Sequence, residues 1–270
     1  MGIQMDSNPT LTRNFPHQLR IANKLMEYAE RVLSIAKPDD DISKLDFHRK
    51  SIVIALGGKA FRTFNAIVNL TEKGHADDAA SLNRVLYECA LVPTYLLDAP
   101  TQTVEDYSDY AMYRNWRDHK LFSEVDPITA AKAFAPYVLK EMEAQFNAVA
   151  GRYPEGRWTS MTVETMAREV DDKLPKGFKV FTFTYRATYR QASAYVHSDV
   201  RSIQSSLITP GFIQRVVTPE ELGKLLYLAN FLMVTLCFVI FGSLYGSKFT
   251  QEHNAICREW HGVKDAVAGA

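Results

Sequence analysis

Apolar positions recur every three or four residues along most of the chain, the period of a helix with one buried face, and the gaps between these stretches collect Pro, Gly and Asp. His17 to Ala36 forms the first such stretch. "KPDDD" at 37–41 interrupts it, and its aspartates suit the N-terminus of a long helix from Ile42 to Lys73 carrying Ile52, Leu56, Phe61, Phe64, Ile67, Val68 and Leu70. Gly57-Gly58 in its middle marks a kink or a close helix contact, and Gly74 ends it. Further helices are expected from Ala76 to Leu97, from Thr101 or Thr103 to about Phe122, from Pro127 to Val149, from Met161 to Val170 and from Val180 to Ser198. Thr218-Pro219-Glu220-Glu221 then starts a strongly apolar helix, with proline at the first helical position, and a last helix runs from Thr250 to Trp260.

Strand-like alternation occurs only in "FKVFTFTYR", which has no hairpin signal beside it and is read as helical. The pattern therefore predicts an all-α protein, a multi-helix bundle around a buried apolar C-terminal helix. It is read as one domain over residues 1–270, with 1–16 and 262–270 flexible. The apolar run Leu225 to Gly246 has 22 residues without a charge, with Lys224 and Lys248 at its flanks, which is long enough to cross a bilayer. Asn230, Thr235 and Ser243 dilute it, and a large helical domain needs one helix enclosed on all sides, so a core helix is expected and a tail anchor is the alternative.

Composition narrows the chemistry. The 31 basic and 31 acidic side chains cancel, which excludes a protein coated with positive charge and confines any nucleic-acid site to a local patch. Cys89, Cys237 and Cys257 are far apart in sequence and form no metal knuckle, as suits core thiols in a reducing cytosol. The first residues, "MGIQMDSNPTLTRNF", carry no apolar export core, and the expected location is cytoplasmic. Phosphate-loop, metalloprotease and nucleophile-elbow motifs do not occur, so no cofactor and no metal are expected.

One window stands out. "FTFTYRATYRQASAYVHSD", from Phe181 to Asp199, mixes aromatic rings, arginines and a histidine, and from Lys173 to Arg201 six basic residues face one Asp. On a straight helix, residues seven apart differ by about 20° after two turns, so Arg190 and His197 share a face. Arg186, Ser193 and Arg201 extend the same stripe, and Tyr185, Tyr189 and Tyr195 can wall it. Arginines hold phosphate oxygens and a histidine moves protons near neutral pH, which suits a phosphodiester; a solvated helix face is the plain alternative. Glu88 lies in the apolar "VLYECALV" and is expected inside the bundle, paired with Arg84 one turn before it or with a cross-helix arginine such as Arg62, Arg186 or Arg190.

The six residues between Arg190 and His197 in "RQASAYVH" resemble the Arg-x4–6-His signature of the HEPN superfamily, helical domains whose ribonuclease members cleave RNA without metal. "RNWRDH", Arg114 to His119, is a second match, but about 140° separates its ends on a regular helix, so it needs a distorted turn. Residues 50 to 245 also resemble a bacterial helical family of uncharacterised domains marked by R-x-x-x-E and Y-x-x-x-S-x-x-x-H, here Arg84, Glu88, Tyr189, Ser193 and His197. The HEPN resemblance implies an endoribonuclease of toxin or phage-defence type with Arg190 and His197 catalytic; the helix stripe adds Arg186, and the second resemblance adds Tyr189, Ser193, Arg84 and Glu88, as supporting or substrate-binding residues. It also implies a homodimer that brings two His197 side chains to one cleft, with RNA as substrate and an antitoxin or defence protein as partner. The competing readings are a non-catalytic binding or regulatory protein and a tail-anchored membrane effector.

Overall fold

A computed structural model of the chain describes residues 14–36, 46–153, 156–174, 179–190, 192–193, 217–246 and 248–267. All of its regular structure is helical, and no strand occurs among the described residues. The chain divides into two compact units, residues 1–97 with 164–270, and residues 98–163.

The larger unit holds α1 (Pro16–Ile35), α2 (Phe47–Glu72) and α3 (Ala76–Leu97). Asp46 starts α2 by accepting a hydrogen bond from the Arg49 N–H at 2.9 Å, five residues after the expected start at Ile42; residues 37–45 lie outside the described residues. α2 runs without interruption through Gly57, and a Cβ there would lie 3.3 Å from Leu33 Cδ2. Of the two readings of Gly57-Gly58, the structure thus has the close helix contact, here between α1 and α2.

Proline and a capping box set the start of the apolar helix as expected. Thr218 Oγ1 accepts from the Glu221 N–H at 3.3 Å and Glu221 Oε2 accepts from the Thr218 N–H at 3.2 Å, opening α9 (Pro219–Leu236). Leu222, Leu226, Ala229, Met233 and Leu236 recur at helical spacing and are 0–1% exposed, because α9 packs against α1, α2 and α3 together. Full burial of each large side chain contributes roughly 1.5–3 kcal/mol. Asn230, which dilutes the apolar run, donates from Nδ2 to the Gln18 carbonyl at 2.9 Å and to Gln18 Oε1 at 3.0 Å, tying α9 to α1. The helix then passes through a π turn (Cys237–Phe241) into α10 (Gly242–Tyr245) and ends at Gly246, whose φ of 57° closes the last turn. Pro219–Tyr245 and α2 both have the length and apolarity to cross a membrane; 56% and 39% of their apolar windows are buried in the fold, and the core helix of a soluble protein meets the same test.

α11 (Thr250–Val267) continues seven residues past the expected end at Trp260, since only Gly262 in that stretch disfavours helix, by about 1 kcal/mol. It lies on α1, with Glu259 reaching Arg20 at 2.9 Å and Lys24 at 2.5 Å, and Glu252 pairing with Arg31. Cys89 and Cys237 are buried, whereas Cys257 is half-buried and sits 3.2 Å from His253 Nε2. His253 is 5% exposed, 6.2 Å from the Tyr28 ring and 5.5 Å from Phe238, and its Nδ1 has no hydrogen-bond partner among the described residues. Burial holds its pKa below the ordinary 6.5. The unfolded chain therefore binds a proton near pH 6.5 that the folded one resists, so this contribution to stability is whole above pH 6.5 and is lost as the pH falls below it. Thermal melts from pH 7.5 to 5 should slope downward, and His253→Phe should flatten the slope; equal slopes would show that the imidazole is solvated.

The smaller unit is built from α4 (Thr101–Val125), α5 (Pro127–Ala133) and α6 (Pro136–Val149), closed by a 3-10 turn (Ala150–Arg152). The single helix expected from Pro127 to Val149 is broken at Phe134-Ala135, both extended, because Pro136 has no N–H to offer and forces the residue before it out of helical backbone. Tyr110, Tyr113, Phe146 and Tyr153 form its aromatic centre, and Arg152 clamps Asp106 at 3.1 Å and Asp109 at 2.8 Å.

Candidate functional site

Two helices of the larger unit position the window singled out by the sequence. α7 (Val163–Lys173) carries Asp171, and α8 (Val180–Thr184) follows it. Asp171 is 5% exposed, and its two carboxylate oxygens accept from the Phe181 N–H at 2.9 Å and the Thr182 N–H at 2.7 Å, fixing the first turn of α8.

α8 does not continue as a straight α-helix. Tyr185–Tyr189 is a π turn, in which the Arg190 N–H bonds back to the Tyr185 carbonyl five residues earlier. The buried positions are Phe181, Thr184, Tyr189 and Ala192. An α-helix repeating the first two would next turn Thr188 inward; the extra residue of the π turn delivers Tyr189 instead.

Tyr189 meets α3 there. Its hydroxyl donates to Glu88 Oε1 at 2.8 Å, the same oxygen that Arg84 Nε approaches at 3.4 Å, and the Arg84 guanidinium stands 5.0 Å from the Tyr189 ring centroid. Tyr185 stacks on Tyr189 at 5.2 Å with the planes 23° apart, and the Tyr87 ring packs on Tyr189 at 5.3 Å, tilted by 52°, while its hydroxyl donates to the Phe181 carbonyl at 2.9 Å. Burial first, and the bond to Glu88 second, push the Tyr189 phenol up to about 12, so it stays a donor to Glu88 at neutral pH.

Arg84, Glu88 and Tyr189 are thus brought together, with one difference from expectation. The Glu88 side chain is 43% exposed rather than enclosed: its neighbours Leu86, Tyr87 and Cys89 point into the core, and Glu88 sits at the rim where the Tyr189 hydroxyl arrives. Its cation is Arg84, in the less favourable order for an intrahelical pair, and at this exposure the pair contributes at most about 1 kcal/mol. Ser193 Oγ donates to the Tyr189 carbonyl at 2.8 Å and joins no other site residue among the described ones. Arg186 is exposed and lies 3.5 Å from Glu164, which holds Arg168 more closely at 2.6 Å. Arg190 is exposed, and its guanidinium makes no hydrogen bond or ion pair among the described residues. His197, Tyr195 and Arg201 lie outside the described residues.

The second arginine–histidine match is not assembled. α4 is regular through Arg114 and His119; Arg114 turns to Asp118 at 3.6 Å and His119 packs between Trp116 and Phe134, so the distorted turn that would join them is missing. Among the described residues no three His, Cys, Asp or Glu side chains converge as a metal site.

Residues 50–212 match a family of unknown function, DUF5677. The chain belongs to that family. The DUF5677 span contains Arg84, Glu88, Tyr189, Ser193 and His197, so both sequence patterns, R-x-x-x-E and Y-x-x-x-S-x-x-x-H, fall inside it, and it stops before α9. No curated protein and no solved structure matches the chain.

Sequence reasoning missed Asp171, Tyr87 and Glu164. Asp171 had a signal: an acid in the last turn of a helix opposes the helix dipole, and "VDDK" holds two there. Tyr87 and Glu164 had none, since their roles depend on which helices meet.

Proposed function

We propose that this DUF5677 chain is a HEPN-like, metal-independent endoribonuclease of toxin or phage-defence type, cytoplasmic and homodimeric, with Arg190 and His197 as its catalytic pair. The observation that supports this is an exposed Arg190 directly after the π turn, unpaired among the described residues, beside the Arg84–Glu88–Tyr189 cluster that holds its segment in register. An arginine that no described carboxylate holds is available to a phosphate.

In the proposed reaction a ribose 2′-oxygen attacks the adjacent phosphorus, the bond from phosphorus to the 5′-oxygen breaks, and the products are a 2′,3′-cyclic phosphate and a 5′-hydroxyl. His197 of one protomer takes the 2′-hydroxyl proton and that of its two-fold mate supplies one to the leaving 5′-oxygen. Arg190 stabilises the charge that gathers on the phosphorane oxygens.

The pure protein should cleave single-stranded RNA in the presence of EDTA, leave those two termini, and leave DNA of the same sequence intact because DNA lacks the nucleophile. Products that form only with added magnesium would place the chain in another nuclease class. RNA bound without any product would favour the non-catalytic binding protein.

A further inference from the structure

The outward side of the same segment has a composition of its own. Lys179, Phe183, Arg186, Ala187 and Arg190 are its exposed positions, set against the buried Phe181, Thr184 and Tyr189, and make up its solvent-facing stripe. Phe183 is 68% exposed, and no carboxylate occurs from Lys179 to Ser193. The only described acid that reaches the stripe is Glu164, shared between Arg186 and Arg168.

A solitary exposed phenylalanine needs no explanation. Here the exposed ring lies on a segment whose other exposed positions are three cations and a small Ala187, four residues further on. Aromatic rings interleaved with cations suit a strand whose bases are free to stack and whose phosphates run alongside. Duplex bases have their faces occupied by their neighbours.

We infer that this stripe seats unpaired RNA, with one base stacked on Phe183, a flanking phosphate at Arg186 and the phosphate to be cut at Arg190, so that single-stranded RNA is the substrate class. The choice of RNA rests on the ribonuclease reading; the stacking contact does not, because it is a matter of binding.

The test uses the full chain and a fluorescent 2′-O-methyl RNA, which cannot be cut, as a single strand and as a duplex. The single strand should bind more tightly, Phe183→Leu should weaken it about tenfold while leaving the duplex unchanged, and Phe183→Trp should restore it. Phe183→Leu should melt like the wild type, since the ring is solvent-facing. Equal binding of both forms, no binding of either, or an unchanged affinity in Phe183→Leu would overturn the inference. A tenfold loss in Phe183→Leu, in a protein that never cleaves ordinary RNA, would sustain the stacking seat and remove the nuclease activity from it.

Discussion

Arg190→Ala is expected to lower the cleavage rate by about 10²–10³-fold, the scale seen when one preorganised charge-stabilising donor is removed. Its effect on RNA affinity should be much smaller. The guanidinium faces solvent with no protein partner among the described residues, so its removal leaves no buried group unpaired and the fold should melt unchanged. Such an arginine can act mainly on charge that develops late, which places the loss in kcat rather than in KM. His197→Ala should be equally inactive and should relieve the slowed growth that expression of the wild type causes. Comparable losses in affinity and in rate for Arg190→Ala would instead mark Arg190 as a plain phosphate contact. Equal toxicity of wild type and His197→Ala would sink the nuclease reading.

The helical architecture was legible because its signals are local. Apolar period, the Thr218–Glu221 box, Gly74 and Pro219 each act within a few residues of themselves, and all of them work in the structure as the sequence implies. The break before Pro136 was readable by the same rule and is the one local signal that the periodic pattern obscured. The site was legible only in part. Arg84 and Glu88 lie one turn apart on a regular helix, so their meeting follows from spacing, and their union with Tyr189 follows from nothing local. A π turn in Tyr185–Tyr189 brings Tyr189 inward in place of Thr188, and no residue in "YRATY" announces it. A straight-helix wheel drawn through Phe181 and Thr184 therefore misplaces Tyr189. Glu88 failed differently: apolar neighbours in sequence imply burial only if the helix is surrounded, and α3 presents that position at an edge.

Asp171→Ala is the substitution expected to cost the fold most for its size. The carboxylate is buried, lies in the last turn of α7 where its charge is unfavourable to α7 itself, and is retained there by two short bonds from the Phe181 and Thr182 N–H groups. Alanine would leave both donors without a partner, one of them on the fully buried Phe181. Hydrogen bonds to a charged group and the loss of a helix start together amount to about 3 kcal/mol, or a fall in Tm of roughly 5–10 °C for a chain of this size. Asp171→Asn keeps one acceptor oxygen and should lose about half of that. Glu164→Ala removes only exposed ion pairs from the neighbouring turn of the site and should melt close to the wild type. Because Asp171 fixes where α8 begins, it also fixes the register that the π turn passes on to Tyr189. Asp171→Ala should therefore lose the 2.8 Å contact between Tyr189 and Glu88 along with its stability. Quenching or wavelength of tyrosine emission from the Tyr87, Tyr185 and Tyr189 stack, read at a temperature where the variant remains folded, measures that displacement, and a melt and an emission both equal to the wild type would show that α8 is held by packing alone.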